Sequence, residues 1–174
     1  MQFIETEIPG VFIVEPKAFA DNRGYFMESF KEDEFNRNIG KIHWVQDNES
    51  MSSRGVLRGL HLQTGEFSQA KLVRVVVGKV YDVAVDVREG SPTYGKYVGV
   101  ELSDENHRQL FIPRGFAHGF LVLSDTCIFQ YRVDNVYCKE SEAGFHYKSF
   151  GVEWPYVSGN FIISEKDLKL KTAK

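Results

Sequence analysis

The chain has only two cysteines among its 174 residues, Cys127 and Cys138, and neither a Cys-x-x-Cys pair nor a Cys/His spacing suited to a metal accompanies them. That excludes a disulfide framework and a thiolate zinc site, and both residues read as free thiols of a reducing compartment. Long apolar runs are missing too, and the opening MQFIETEIPGVFIVEP places acids where an export signal needs an unbroken apolar stretch. A soluble, cytoplasmic protein is the expectation, with no membrane partner. There is no basic excess: 21 Lys and Arg stand against 24 Asp and Glu, for a formal net charge of -3. A chain so balanced lacks the general field that holds a polynucleotide, so any phosphate-bearing partner should be small and met by a few local cations. Repeats, low-complexity tracts and Pro/Ser-rich linkers are also absent, and the length suits one domain over residues 1–174.

Helical periodicity is scarce. Residues 31–38 allow one short helix, and residues 164–170 another, begun by the capping pattern Ser164, Glu165, Lys166, Asp167. Short β-type runs are what the chain does have. KLVRVVVGKVYDVAVDVR, residues 71–88, reads as two valine-rich strands broken at Gly78, and further strands are expected at 11–15, 56–63, 97–102, 109–112, 116–123 and 127–133. So many short strands between Gly, Pro, Asp and Asn predict an antiparallel sandwich or barrel, an all-β fold with short accessory helices. Fourteen Phe and eight Tyr exceed what one small core ordinarily needs, so part of them should line a pocket or a subunit interface.

Strand alternation aims three polar side chains inward. Lys71 shares a face with Val73, Val75 and Val77 while Arg74 points the other way; Tyr131 shares one with Cys127, Phe129 and Val133; His118 shares one with Phe116, Phe120 and Val122. Singly, each has a plainer reading: a lysine snorkelling to solvent, a tyrosine tying down a loop, a histidine satisfied in the core. IPRGFAHGF, residues 112–120, is more specific. Its Pro113-x-Gly115-x-x-His118 spacing resembles the second motif of the cupins, which are double-stranded β-helix (jelly-roll) barrels. Metal-binding cupins carry His-x-His in their first motif, and here His61-Leu62-Gln63 stands in its place. With the donor set incomplete, no metal is expected, and His61 is free to act as a base.

Seven blocks in order then resemble one family over nearly the whole chain: DNRGYFMESF from Asp21, VQDNESMSSRGVLRGLHLQ from Val45, QAKLVRVVVGKVYDVAVDVR from Gln69, SPTYGK from Ser91, RQLFIPRGFAHGF from Arg108, WP at Trp154 and SEKD from Ser164. They are similar to the dTDP-4-dehydrorhamnose 3,5-epimerases. The resemblance implies a cupin-type isomerase without a cofactor, acting on dTDP-4-keto-6-deoxy-D-glucose. It implies His61 as the base, Asp167 as the group that orients it, Tyr131 as the acid returning a proton from the opposite side, and Lys71, with His118, near the ketone oxygen. Arg58 and Arg23 match diphosphate contacts, while Gln46, Asn48, Glu28, Phe26, Tyr137, Glu142 and Lys166 match positions around nucleotide and sugar. It further implies a homodimer in which Arg23, Phe26 and Glu28 act across the interface.

The chemistry needs those residue types. A hydrogen beside a ketone is a very weak acid, so a histidine removes it only if the developing oxyanion is stabilised at the same moment. An ammonium can do that, and a phenol can give a proton to the other face without carrying a standing charge. The hydrogens on C3 and C5 flank the same carbonyl on one ring face, so one base can serve both. Three other readings stand beside this one: a mono-epimerase acting at C3 or C5 alone on a related 4-keto sugar nucleotide, a non-catalytic sugar-nucleotide-binding cupin, and a metal-dependent oxygenase. Hydrolysis has little support, since no serine sits in a nucleophile motif. Arg58 and His61 are three apart, so both can reach one pocket only if their strand is irregular near Gly59; a bulge or twist is predicted there. Leu62 in place of a common aromatic, and Tyr137-Cys138-Lys139, depart from the family pattern and bear on sugar or nucleotide preference.

Overall fold

The computed structural model describes residues 1–173. Thirteen strands and two short α-helices run in the order β1 (Gln2–Glu5), β2 (Phe12–Glu15), β3 (Ala18–Asp21), β4 (Gly24–Met27), α1 (Glu32–Asn38), β5 (Gln46–Ser53), β6 (Leu57–Gln63), β7 (Lys71–Val77), β8 (Lys79–Asp86), β9 (Tyr97–Ser103), β10 (Gln109–Ile112), β11 (Phe116–Val122), β12 (Thr126–Val133), β13 (Glu142–Gly144) and α2 (Glu165–Leu168). One sheet has the order β1-β2-β10-β7-β12-β5, the other β13-β6-β11-β8-β9, and β3 pairs with β4 as a separate hairpin. Neighbours pair antiparallel throughout. This is the all-β jelly roll expected from the sequence.

Alternation along the strands builds the space between the sheets. Val73 and Val75 of β7, Val80 and Ala84 of β8, Phe116, Phe120 and Val122 of β11, and Cys127 and Phe129 of β12 form one buried cluster. The expected face of β7 ends early. Val75 opposes Phe129 but Val77 opposes Ile128, so Val76 is one residue too many for β12; Val77 turns outward and is 41% exposed.

The aromatic surplus is divided between two outer faces and a cavity. Phe3, Phe30, Trp44 and Phe111 cluster with Phe35 of α1 on the outer face of the six-stranded sheet, most of their ring contacts edge-on and the Phe30–Phe35 pair tilted. Phe145, Phe150 and Trp154 of the C-terminal segment cover the outer face of the other sheet. Much of the surplus therefore waterproofs two outer faces, while Phe120, Phe129, Tyr131 and Tyr137 face a cavity. No helix among the described residues is long and apolar enough to cross a membrane.

Candidate active site

A cavity of about 590 Å³ opens between the two sheets. His61 on β6 and His118 on β11 come from one wall, Lys71 on β7 and Tyr131 on β12 from the other, and all four line it. The two histidines are direct cross-strand partners. Lys71 opposes Val133 and Tyr131 opposes Val73, so lysine and phenol lie diagonally on one face.

The irregularity predicted near Gly59 is present. His118 pairs with His61 and Phe120 with Arg58, so three steps on β6 face two on β11. That extra residue turns both Arg58 and His61 toward the cavity. Glycine is needed there: Gly59 has φ +120°, and an added Cβ would lie 2.6 Å from Gly119 Cα.

Asp167 arrives by a different route. Ile162 bonds by its backbone to Gly55 and Leu57 beside β6, which delivers Ser164 to the cavity rim. Ser164 Oγ caps α2 by accepting from Asp167 N at 3.1 Å. The Asp167 carboxylate instead turns inward, 2.7 Å from His61 Nε2, and its second oxygen accepts from Gly59 N at 3.4 Å. Burial pushes the Asp167 pKa up, but the His61 hydrogen bond and charge, with Gly59 and Ser164, outweigh it and hold the carboxyl below the usual range. With Nε2 engaged, the His61 nitrogen left to act on a ligand is Nδ1.

Lys71 does not snorkel to solvent. It is 9% exposed, and among the described residues its ammonium has no hydrogen-bond or salt-bridge partner, yet the only buried side-chain nitrogen or oxygen without a partner is Arg74 Nε. The Lys71 amine therefore opens onto the cavity. Burial pulls its pKa down from 10.5 to about 8, with Asp82 acting in the opposite sense. Burial raises the Tyr131 phenol above its ordinary value, partly offset by Arg58, so it stays protonated and able to donate.

Arg58 is held from behind by Ser52 Oγ, which accepts from Nε at 3.2 Å and from Nη2 at 3.1 Å. Glu142 on β13 accepts from the Tyr137 hydroxyl at 2.8 Å and from Lys166 Nζ at 2.6 Å, forming a polar rim. Not every expected residue joins this cavity. Arg23, Phe26 and Glu28 lie on or just after the β3–β4 hairpin, where Phe26 is 67% exposed and Arg23 is paired with Asp21. Asn48 sits opposite Tyr131 in register but lines a smaller neighbouring pocket, and Gln46 donates to it at 2.7 Å.

Asp82 was not anticipated. Fully buried on β8, it accepts from His118 Nε2 at 3.1 and 2.9 Å. Its signal was there to be read: in VYDVAVD an acid falls in phase with Val80 and Ala84, on the face the core requires to be apolar. Ser52 and Gln63 carried no such signal; Gln63 is 6% exposed and accepts from Cys138 N at 2.9 Å.

Comparison with known proteins identifies the family of the chain. The family model described as dTDP-4-dehydrorhamnose 3,5-epimerase matches residues 5–174. A dTDP-4-dehydrorhamnose 3,5-epimerase of Shigella flexneri is 56% identical over 171 residues, 97% of this chain and 93% of that protein. The crystal structure of the enzyme of that name from Elizabethkingia anophelis superposes with a TM-score of 0.93 at 48% identity, covering 99% of this chain and 96% of the other. A dTDP-6-deoxy-D-glucose-3,5-epimerase from Legionella pneumophila, in complex with dTDP-4-keto-L-rhamnose, gives 0.95 at 46% identity over 98% and 92% of the two chains. A family model that spans nearly the whole chain, and relatives identical to it at about half of their positions over that length, show that the chain belongs to the dTDP-4-dehydrorhamnose 3,5-epimerase family of isomerases.

Proposed function

We propose that this epimerase inverts C3 and C5 of dTDP-4-keto-6-deoxy-D-glucose to give dTDP-4-keto-L-rhamnose. The observation that carries the reading is that base and acid stand on opposing sheets across one cavity. A ring lying between the sheets offers one face to His61 and the other to Tyr131, and inversion requires that arrangement. Support also comes from the Legionella relative, whose complex holds the corresponding product. The cavity, about 590 Å³, has a volume suited to a sugar nucleotide.

The steps follow from the side chains. His61 Nδ1 takes the hydrogen beside the ketone while Asp167 stabilises the imidazolium that forms. Electron density moves onto the ketone oxygen, where the Lys71 ammonium meets it without reorganisation. Tyr131 then gives its proton to the opposite face of the same carbon; His61 releases to water the proton it took, the Tyr131 phenolate regains one from water, and the cycle repeats at the second carbon. Arg58, steadied by Ser52, takes the diphosphate, while Tyr137, Glu142 and Lys166 bind at the rim. Neither a metal nor another cofactor enters this scheme.

Residues 1–174 act in this reading as one domain of a cytoplasmic homodimer. The β3–β4 hairpin supports the dimer: two strands alone are marginal in water, yet this pair exposes Phe19, Tyr25 and Phe26 at 54%, 54% and 67%. Seated on a second copy, it would carry Arg23, Phe26 and Glu28 toward the partner's cavity, where Gln46 and Asn48 lie at the edge.

The test is turnover of the keto sugar in deuterium oxide. Deuterium at both C3 and C5 of an inverted product is expected; label at a single carbon identifies a mono-epimerase, and none at either refutes the proposal. His61→Ala should abolish labelling while dTDP binding persists, which separates an enzyme from a binding protein.

A further inference from the structure

The oxygen-binding corner contains a charge arrangement that the reaction scheme leaves unexplained. Among the described residues Lys71 has no acid in contact, although it is nine-tenths buried. Asp82 is 0% exposed, and among the described residues its side chain bonds only to His118. Burial holds the His118 pKa below its ordinary value against the pull of Asp82, and the Lys71 charge adds to that depression. A neutral ring leaves the negative charge of the aspartate uncancelled. It also fixes the proton on Nε2, so that Nδ1 of His118 faces the cavity as an acceptor.

The other charged groups around the cavity are committed elsewhere. Asp167 on α2 serves His61 on β6, Glu142 on β13 serves Lys166 and Tyr137, and Glu49 on β5, which also lines the cavity, accepts from Gln130 Nε2 at 2.8 Å. Arg58 on β6 is held by Ser52, and Tyr131 on β12 stays protonated. Asp82 is the remaining acid that acts on Lys71.

We propose that Asp82 is a positioning residue which, without touching substrate, keeps Lys71 in its ammonium form and locks the His118 ring, so that a charged ammonium faces the cavity before any ligand arrives. This deepens the proposed function: an ammonium already charged can stabilise an enolate at once, whereas an amine buried without a counter-ion would give up its proton. The counter-ion is set on the opposite wall, which leaves the lysine's own hydrogen-bond donors free for the substrate oxygen.

Asp82→Asn tests it, because the amide oxygen can still accept from His118 Nε2 while the charge is gone. In protein carrying ¹³Cε-lysine, with the Lys71 resonance assigned by its loss in Lys71→Met, the amine should titrate near pH 8 in the parent chain. In Asp82→Asn it should titrate about one pH unit lower or more, and the alkaline limb of kcat should move with it. A Lys71 titration unchanged in Asp82→Asn assigns the aspartate to the fold alone and overturns the proposal. Should that variant not fold, the parent titration decides by itself: an amine already neutral at pH 7 with Asp82 in place is equally fatal. Both titrations are read without substrate, so a parent protein inert toward the keto sugar would refute the proposed function and leave this inference to be judged on the lysine.

Discussion

Asp167→Asn isolates what the carboxylate behind His61 contributes. Asp167 is 5% exposed and uses both oxygens, one against His61 Nε2 at 2.7 Å and one against the Gly59 amide at 3.4 Å. An asparagine placed there has one acceptor for two tasks. The Gly59 N–H can only donate, so the amide oxygen turns to it and the NH₂ turns to the imidazole. A donor against Nε2 forces the ring proton onto Nδ1, the nitrogen that must be bare to act as base. The variant therefore holds the wrong tautomer and also lacks the charge that stabilises the imidazolium. Comparable losses in histidine-aspartate pairs are about 10²–10⁴ in rate, or roughly 3–5 kcal/mol of transition-state stabilisation. Because the aspartate lies behind the ring, the loss should appear in kcat, with KM within about threefold. The assay is wash-in of solvent deuterium at C3 and C5 followed by NMR, together with dTDP affinity by calorimetry. A variant that exchanges within about tenfold of the parent would refute the orienting role.

Other consequences can be checked separately. Gly59→Ala puts a Cβ 2.6 Å from Gly119 Cα at a φ of +120°, so stability should fall by about 2–5 kcal/mol, read as a lower urea midpoint with the m-value unchanged. Lys71→Met should lower kcat by about 10²–10³ because the charge that meets the enolate oxygen is gone; turnover beside a thermal melt that shows the variant folded decides it. The Lys71 pKa, about 8 against 10.5 when unfolded, fixes two signs. Activity should fall as pH rises through about 8, because the ammonium is lost. Between those two values the unfolded chain binds the extra proton, so this group's contribution to stability rises with pH, which denaturant titrations of parent and Lys71→Met would separate. The depressed Asp167 pKa gives the same slope in a more acidic window: its contribution is present above the ordinary carboxylate range and is lost on acidification.

How much of this was legible in the sequence depends on the length scale of each interaction. Strand alternation placed Lys71, His118 and Tyr131 on inward faces because side-chain direction is local, and the three-residue separation of Arg58 and His61 demanded the bulge that Gly59 allows. The same alternation failed at Val76, where the extra residue is fixed by pairing with β12, a partner some fifty positions away in the chain. The strands β1, β3, β4, β5 and β13 were not foreseen. QDNESMSS of β5 is polar and low in β propensity, and it is a strand because it completes a ladder with β12. The capping pattern at Ser164 set the start of α2, but not that Asp167 would turn from the helix toward His61, 106 residues earlier in the chain. Contacts between distant segments, such as Ser52 with Arg58, are decided by packing, and no spacing rule reaches them.

The account depends on a proton leaving one ring face for His61 and another arriving on the opposite face from Tyr131. Tyr131→Phe in deuterium oxide tests that division directly, because it removes the donor and leaves the base. Solvent label should still enter C3, with the starting configuration retained and the inverted sugar reduced by at least about 10². Inversion at the parental rate in this variant would show that the proton comes from somewhere else, and the opposed-wall mechanism would be wrong.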